Sequence, residues 1–244
     1  MRNVRIHVEP PLAIGDQLAL PAQAAEHVAR VLRMVAGDAL TLFNGDGRDY
    51  QATILAASKR GVLVSIDSAL DAAREPPLAL TLAQAIGRGD KMDWIVQKAT
   101  ELGVARIVPL LTERTQVQLD TARARKRVEH WRAVAVGACE QSGRALLPAV
   151  MAPLALPEWL AQADAEPGLR LALEPGAEQK VRTLHFTVPR VTLVVGPEGG
   201  LGAGDLQRLH EAGFAGVSFG PRILRTETAG LAALAALQAL HGDC

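Results

Sequence analysis

Cysteine is nearly absent from this chain of 244 residues: Cys139 and Cys244 are its two thiols, too few for a disulfide framework and without metal-ligand spacing. Six histidines (His7, His27, His130, His185, His210 and His241) are scattered with no close pair, so no bound metal is expected. Such cysteine usage predicts a reducing, cytoplasmic setting. Aromatic residues are scarce as well, with one Tyr, four Phe and three Trp, which limits ring stacking as a means of recognition. No apolar run is long enough to span a bilayer. The opening Met1-Arg-Asn-Val-Arg-Ile-His also lacks the apolar stretch of a secretory signal, so no membrane partner is expected. Net charge is missing too: 26 Lys and Arg balance 26 Asp and Glu, which argues against a surface that is basic throughout. A local basic patch stays open. Arg123, Arg125, Lys126 and Arg127 begin a helical stretch, with Arg114 before it and Arg144 after it. The run reads equally well as a solvated helix face or as a phosphate-contacting one.

What is present is hydrophobic patterning that changes character near residue 70. His27 to Met34 predicts one short helix. Ala39–Phe43, Tyr50–Ala56 and Val62–Ile66 predict strands, joined by the turn chemistry of Asn44-Gly-Asp-Gly47 and Lys59-Arg-Gly61. Short strands on hairpins predict a compact β-barrel over residues 1–70. Periodicity breaks over Ser68–Pro77. From Leu78 onward strands and helices alternate, which predicts an α/β domain with a mainly parallel sheet over residues 76–244. Leu78–Ala85 is its first strand. Met92, Ile95, Val96, Ala99 and Leu102 recur at helical spacing before a stop at Gly103. Arg106–Leu110 returns as a strand. The basic helix is expected to bury Val128, Trp131, Ala135 and Ala138 and to end at Gly143. Leu169–Leu173 is a further strand, closed by Glu174-Pro175-Gly176.

Two later segments carry the chemistry. Val191–Val195 is a run of β-branched residues and leucine, suited to a strand covered on both faces. Gly196 and Pro197 end it, and Gly199 and Gly200 permit positive φ or a close approach of backbone to a ligand. A helix over about Gly204–Ala212 follows, with Asp205 near its positive end. The plan repeats: a strand over Gly216–Phe219, a Gly-Pro break, then Thr226 or Thr228 as N-cap of a helix running to about Leu240. One such loop alone reads as an ordinary turn, and neither matches a dinucleotide fingerprint or a P-loop. The second holds Arg222, Arg225 and Glu227 among Ile223 and Leu224, which an ordinary short polar turn does not need. Two loops on neighbouring strands would place two ligand-contacting edges at one end of a sheet.

The pair Gly196-Pro-Glu-Gly-Gly200 and Gly220-Pro-Arg-Ile-Leu-Arg-Thr-Glu-Thr-Ala229 resembles the SPOUT-class methyltransferases, and within them the bacterial 16S rRNA (uracil-N3)-methyltransferases. The resemblance covers nearly the whole chain. It includes Arg30-Val-Leu-Arg-Met-Val-Ala-Gly37, the stretch Gly89 to Gly103, Glu113-Arg114 and Glu140-Gln-Ser-Gly-Arg144, in that order.

That resemblance implies a SPOUT-type parallel-sheet domain with a C-terminal trefoil knot, preceded by a small PUA-like RNA-binding β-barrel domain. It implies a homodimer whose second subunit completes the site, and S-adenosyl-L-methionine as methyl donor. The implied cofactor walls are Leu173 and Glu174; Gly196, Pro197, Gly199 and Gly200; and Phe219, Gly220, Ile223, Leu224, Arg225, Thr226 and Thr228. The implied acceptor is N3 of a uridine in 16S rRNA within the assembled 30S subunit, a base that must be unpaired or flipped to expose that edge. Arg225 is the candidate for stabilising an anionic uracil. Glu198 is the candidate base or base-orienting group, with a purely loop-holding role as the alternative. Arg30 and Arg33, on successive turns of one helix, are candidate phosphate contacts or plain surface arginines. Lys91, Lys98, Arg114, Gln141 and Arg144 are candidate RNA or inter-subunit contacts. Two departures stand out: His7 where an aromatic residue is expected, and Leu201-Gly-Ala-Gly204 in place of a more polar cap. Other outcomes of the same resemblance are a non-catalytic RNA-binding or ribosome-assembly factor, or a methyltransferase acting on tRNA.

Overall fold

The computed structural model describes residues 4–9, 11–58, 61–117, 120–162 and 168–244. The chain forms two compact units, residues 1–75 with 136–147, and residues 76–135 with 148–244. A single break near residue 70 does not anticipate that residues 136–147 join the first unit.

In the first unit, β1 (Arg5–His7), β2 (Gln17–Ala19), β3 (Ala39–Phe43), β4 (Arg48–Ser58) and β5 (Gly61–Asp71) form one sheet in the order β1-β3-β4-β5-β2. The expected hairpin strands are there, and β4 and β5 run longer than their apolar cores. Among the described residues β1 and β2 are the two edges, so pairing leaves the expected barrel unclosed. Both edge strands are three residues long, too short for their alternation to be read from sequence. Lys59 and Arg60 of one expected turn lie outside the described residues. Asn44–Gly47 does turn, with Gly45 and Gly47 at φ of 90° and 89°. Inward side chains of β3, β4 and β5, including Leu40, Leu42, Ile54, Val64 and Ile66, close over Val28 of the helical segment.

That helical segment differs from expectation. α1 spans Ala22–Glu26 and continues as a π-helical turn over His27–Val31, so it starts earlier and stops sooner than His27–Met34. Arg33 is therefore not on a helical turn: it adopts a left-handed backbone, φ 55°, just past the helix end, where glycine is the usual occupant. Arg30 stays on the helix and pairs with Glu26 at 2.7 Å in solvent.

Several ion pairs hold this unit together. Arg5 meets Asp49 at 2.6 Å, Arg74 meets the other oxygen of Asp49 at 2.8 Å, and Arg144 meets Glu75 at 2.6 Å. Arg5 also donates to the Arg144 carbonyl oxygen. Arg144 is only 4% exposed, which corrects its assignment as an RNA contact: its guanidinium is turned inward to the Glu75 carboxylate. His7 packs edge-on to Phe43, with ring centroids 5.3 Å apart, and its backbone N–H donates to Glu140.

The second unit contains β6 (Ala79–Ala85), α2 (Lys91–Glu101), β7 (Val104–Leu111), α3 (Thr121–Ser142, through Ala135), β8 (Ala149–Val150), β9 (Leu154–Ala155) and α4 (Leu156–Gln162). It continues with β10 (Leu169–Leu173), β11 (Arg190–Val195), α5 (Ala203–Glu211), β12 (Ala215–Val217) and α6 (Thr226–His241). Its seven-stranded parallel sheet runs β12-β10-β11-β6-β7-β8, with β9 also pairing β7. Alternation along β11 explains why its sequence is apolar throughout. Leu193 and Val195 join Leu82, Ile95, Leu234 and Leu237 on one face, while Val194 joins Val108, Leu209 and Phe214 on the other. The basic helix buries Val128, Trp131, Ala135 and Ala138 as its spacing predicts.

Three expectations are corrected here. β11 and β12 are not neighbours, because β10 lies between them. β12 ends at Val217 rather than Phe219, since Ser218 turns aside to bond Gln179 and Ala177 carbonyls. The N-cap of α6 is Arg225, in extended backbone; Thr226 is the first helical residue and Thr228 lies within the helix.

Asp49 faces two cations from a 7% exposed position, so Asp49→Ala leaves the buried Arg5 charge uncompensated. The expected loss is ~3–5 kcal/mol of unfolding free energy. Chemical denaturation measures it, and a change below ~1 kcal/mol would show that the pair is solvent-relaxed.

Candidate active site

The carboxyl ends of β10, β11 and β12 open on one cavity of about 670 Å³. Most of its wall comes from three chain segments, with Lys91 and Lys180 added from elsewhere. The turn after β10 supplies Leu173, Glu174, Pro175 and Gly176; the loop after β11 supplies Gly196, Pro197, Glu198, Gly200 and Leu201; and the loop after β12 supplies Ser218 to Thr226. Of the expected cofactor residues, Gly199 and Thr228 do not line the cavity. Gly199 instead accepts a 2.7 Å bond from Arg114 through its carbonyl, and Thr228 is exposed on α6.

The loop after β11 is tight. A Cβ on Gly196 would stand 2.7 Å from the Leu201 nitrogen, so no larger residue fits there. Gly200 and Gly220 have φ of 71° and 75°, the left-handed region that glycine enters without strain. At Leu201–Gly204 the Glu113 carboxylate lies against Gly202 and Gly204, and a Cβ at either would require that side chain to shift. Asp205 still takes up the helix end, accepting from the Gly202 and Glu113 N–H groups.

Below the cavity runs a buried chain of hydrogen bonds. Gln84, at the end of β6, donates at 2.9 Å to the Thr226 hydroxyl, which donates at 2.6 Å to the Gly196 carbonyl oxygen. It ties the start of α6 to the loop after β11. Gln84 was not singled out from sequence; the available signal was one amide side chain inside an otherwise apolar strand.

At the rim, Glu198 accepts from Lys91 and from the Arg88 N–H, both at 2.9 Å. Burial works to raise its pKa, but these donors, its own backbone N–H and the Lys91 charge outweigh it and hold the carboxyl at about 2. So strong an acid is a poor proton acceptor near neutrality, which favours the loop-holding role of Glu198 over that of a base. Lys91 lines the cavity, yet its ammonium also lies 3.5 Å from Glu227, and the hydrogen bond to Glu198 raises its pKa. Lys98 is engaged away from the cavity, with Glu101 at 2.8 Å and with the Trp94 ring. Arg225 and Arg222 differ from all of these. Both line the cavity and are exposed, and among the described residues neither guanidinium has a hydrogen-bond or ion-pair partner. Gln141 and Arg30 are exposed residues of the first unit.

A parallel sheet with a crevice outside its strand ends, walled by glycine-rich loops and edged with two exposed arginines, defines an α/β protein of the kind whose ligand sites lie at those ends. The model of the RNA methyltransferase domain family matches residues 74–238, and that of the RNA methyltransferase PUA domain matches residues 20–67. The chain belongs to this RNA methyltransferase family. It is similar, at 41% identity and a TM-score of 0.95 with both chains covered over 100%, to a Legionella pneumophila protein described as a methyltransferase and solved with its bound cofactor SAM. A ribosomal RNA small subunit methyltransferase E from Neisseria gonorrhoeae, bound to S-adenosyl methionine, is 36% identical over 99% of each chain with a TM-score of 0.92. The protein of the same name from Bacillus subtilis is 32% identical over 92% of each chain.

Thr226→Val keeps the side-chain shape but leaves the Gly196 carbonyl and a Gln84 amide proton buried without partners. It is expected to destabilise the protein by ~1–3 kcal/mol, with Thr226→Ser close to wild type, as read from urea unfolding. Glu198 gives a pH signature. Its folded-state pKa lies below the ordinary 4.5, so the ionised carboxylate stabilises the fold above about pH 5, and this contribution is lost as pH falls towards 2. Because the pair is partly exposed, Glu198→Gln is expected to lower stability by under ~1 kcal/mol at neutral pH. The gap to wild type should narrow in acid; a gap that widens there contradicts the assignment.

Proposed function

We propose that this protein transfers a methyl group from S-adenosyl-L-methionine to N3 of a uridine in 16S rRNA of the small ribosomal subunit. The observation that carries the reading is the cavity at the ends of β10, β11 and β12, in the part of the chain that carries the family match. Its volume falls within the usual range for a small-molecule site. Leu173, Val195, Leu201, Phe219 and Leu224 offer an apolar slot for the adenine, and the glycine bends bring backbone N–H and C=O groups to its edge. When bound, the cofactor supplies an electrophilic methyl group on a cationic sulfur. The chain's own part is to hold the two loops in register through Thr226 and Glu198, to exclude water along the apolar wall, and to present Arg225 to the uracil carbonyl edge.

The protein acts in this reading as a cytoplasmic homodimer on the assembled 30S subunit. The exposed Trp94 of α2, beside α6, offers an apolar anchor for a second copy. The reading includes a C-terminal trefoil knot in this part of the chain, as the family resemblance implies.

The test is incubation of purified protein with labelled S-adenosyl-L-methionine and 30S subunits lacking the modification, followed by nucleoside digestion and mass spectrometry. A single N3-methyluridine in 16S rRNA is expected. Label in tRNA or in a ribose would overturn the substrate assignment. Absence of label in every RNA, with cofactor bound, would overturn the reaction.

A further inference from the structure

The proposed reaction needs N3 of uracil without its proton, and the lining of the cavity bears on what removes it. Its charged side chains are Lys91, Glu174, Lys180, Glu198, Arg222 and Arg225, and among the described residues no His, Cys or Tyr lines it. Glu198 is held by Lys91 and the Arg88 N–H. Glu174 faces the His210 imidazole at 3.4 Å, and that imidazole lines no part of the cavity. Lys180 donates to the Ser218 hydroxyl, and Glu227 stands behind Lys91. Each carboxylate at or behind the cavity wall thus already faces a side-chain partner, and none is presented free to the N3 proton. Two groups remain uncommitted: Arg222 and Arg225.

We propose that Arg222 and Arg225 act as a catalytic pair that binds the target uracil as its N3 anion, the proton passing to solvent rather than to a side chain of this subunit. This rests on the reading of the cavity as a uridine N3-methylation site. The chemistry explains why there are two cations. Charge on the N3 anion is shared with O2 and O4, which flank it. One guanidinium on each oxygen neutralises that charge while leaving the N3 lone pair free. The N3–H bond breaks with its proton going to water. The N3 lone pair then forms the N–CH3 bond as the methyl leaves sulfur, whose bonding pair stays behind and turns the sulfonium into a thioether. Ile223, exposed, and Leu224 lie between the two arginines and complete the same stretch of cavity wall.

If the substrate ionises, its own acidity sets the pH dependence. Methyl transfer by the wild type to ordinary uridine, measured first, tests the proposed function separately. The discriminating substrate is 30S subunits reconstituted with 5-fluorouridine-containing 16S rRNA, in which fluorine makes N3–H more acidic. The ascending limb of the kcat/KM profile is expected to move to lower pH, by the difference between the two free nucleosides. Arg222→Ala and Arg225→Ala should each lower kcat/KM about 10²-fold with ordinary uridine at neutral pH. The 19F resonance of the target 5-fluorouridine, bound with S-adenosylhomocysteine, should titrate at lower pH on the wild type than on either variant. A profile that stays in place for the fluorinated substrate would overturn the proposal, because the ionising group would then belong to the protein. So would a 19F titration unchanged by both substitutions.

Discussion

The site depends on a single buried hydroxyl. Thr226 takes a hydrogen bond from Gln84 and gives one to the Gly196 carbonyl oxygen, in a place sealed from water. A buried carbonyl or amide without a partner costs about 1–3 kcal/mol, so these atoms hold the end of β6, the loop after β11 and the start of α6 in one arrangement. The consequences spread outward from there. Gly196 has no room for a Cβ, so the loop folds back at once and carries Glu198 to the rim. Glu198 then takes Lys91 and the Arg88 N–H, closing the loop on the segment after β6. Each contact depends on the one beneath it.

A second constraint decides where the chemistry sits. The central strands are covered on both faces, with Leu193 and Val195 turned to one core and Val194 to the other. No side chain in the middle of such a strand is available to a ligand, so function is confined to the ends and to the loops that leave them. β10 between β11 and β12 turns this confinement into a pocket. A direct β11–β12 pair would set the two loops side by side, whereas the intervening strand spaces them apart and adds Leu173 and Glu174 as a third wall.

How much of this was legible follows from how local each feature is. β11 could be read as an unbroken β-branched and leucine run stopped by Gly-Pro, and the buried stripe of α3 because its helical periodicity is long. The two glycine-rich loops could be read because proline and glycine impose backbone conformations by themselves. β1, β2, β8 and β9 are two or three residues long and acquire strand character only from their partners, so no local signal announces them. Strand order is likewise a property of the assembled sheet, which is why β11 and β12 read as neighbours. Arg144 and Glu198 carry the same lesson for sites. Each has the residue type its expected role required, but Glu75 and Lys91, far away in sequence, decide what each does.

Charge makes the point most sharply. A formal net charge of zero argues against a polyanion-binding surface only if positive charges are interchangeable, and here they are not. Arg5, Arg74 and Arg144 are paired with Asp49 and Glu75 inside the first unit; Arg208 pairs with Glu113, and Lys91 with Glu198. Part of the balance is therefore taken up in ion pairs, and the formal net charge does not say what the surface offers to a ligand. Arg222 and Arg225 are left facing the cavity with no carboxylate beside them, and Arg33 extends from a backbone conformation that an arginine adopts only with strain. Arg222 and Arg225 face the cavity from exposed positions, so an anion bound there meets two cations that no acidic side chain neutralises. A neutral chain thus retains an electropositive site because its acidic residues are committed elsewhere by the fold.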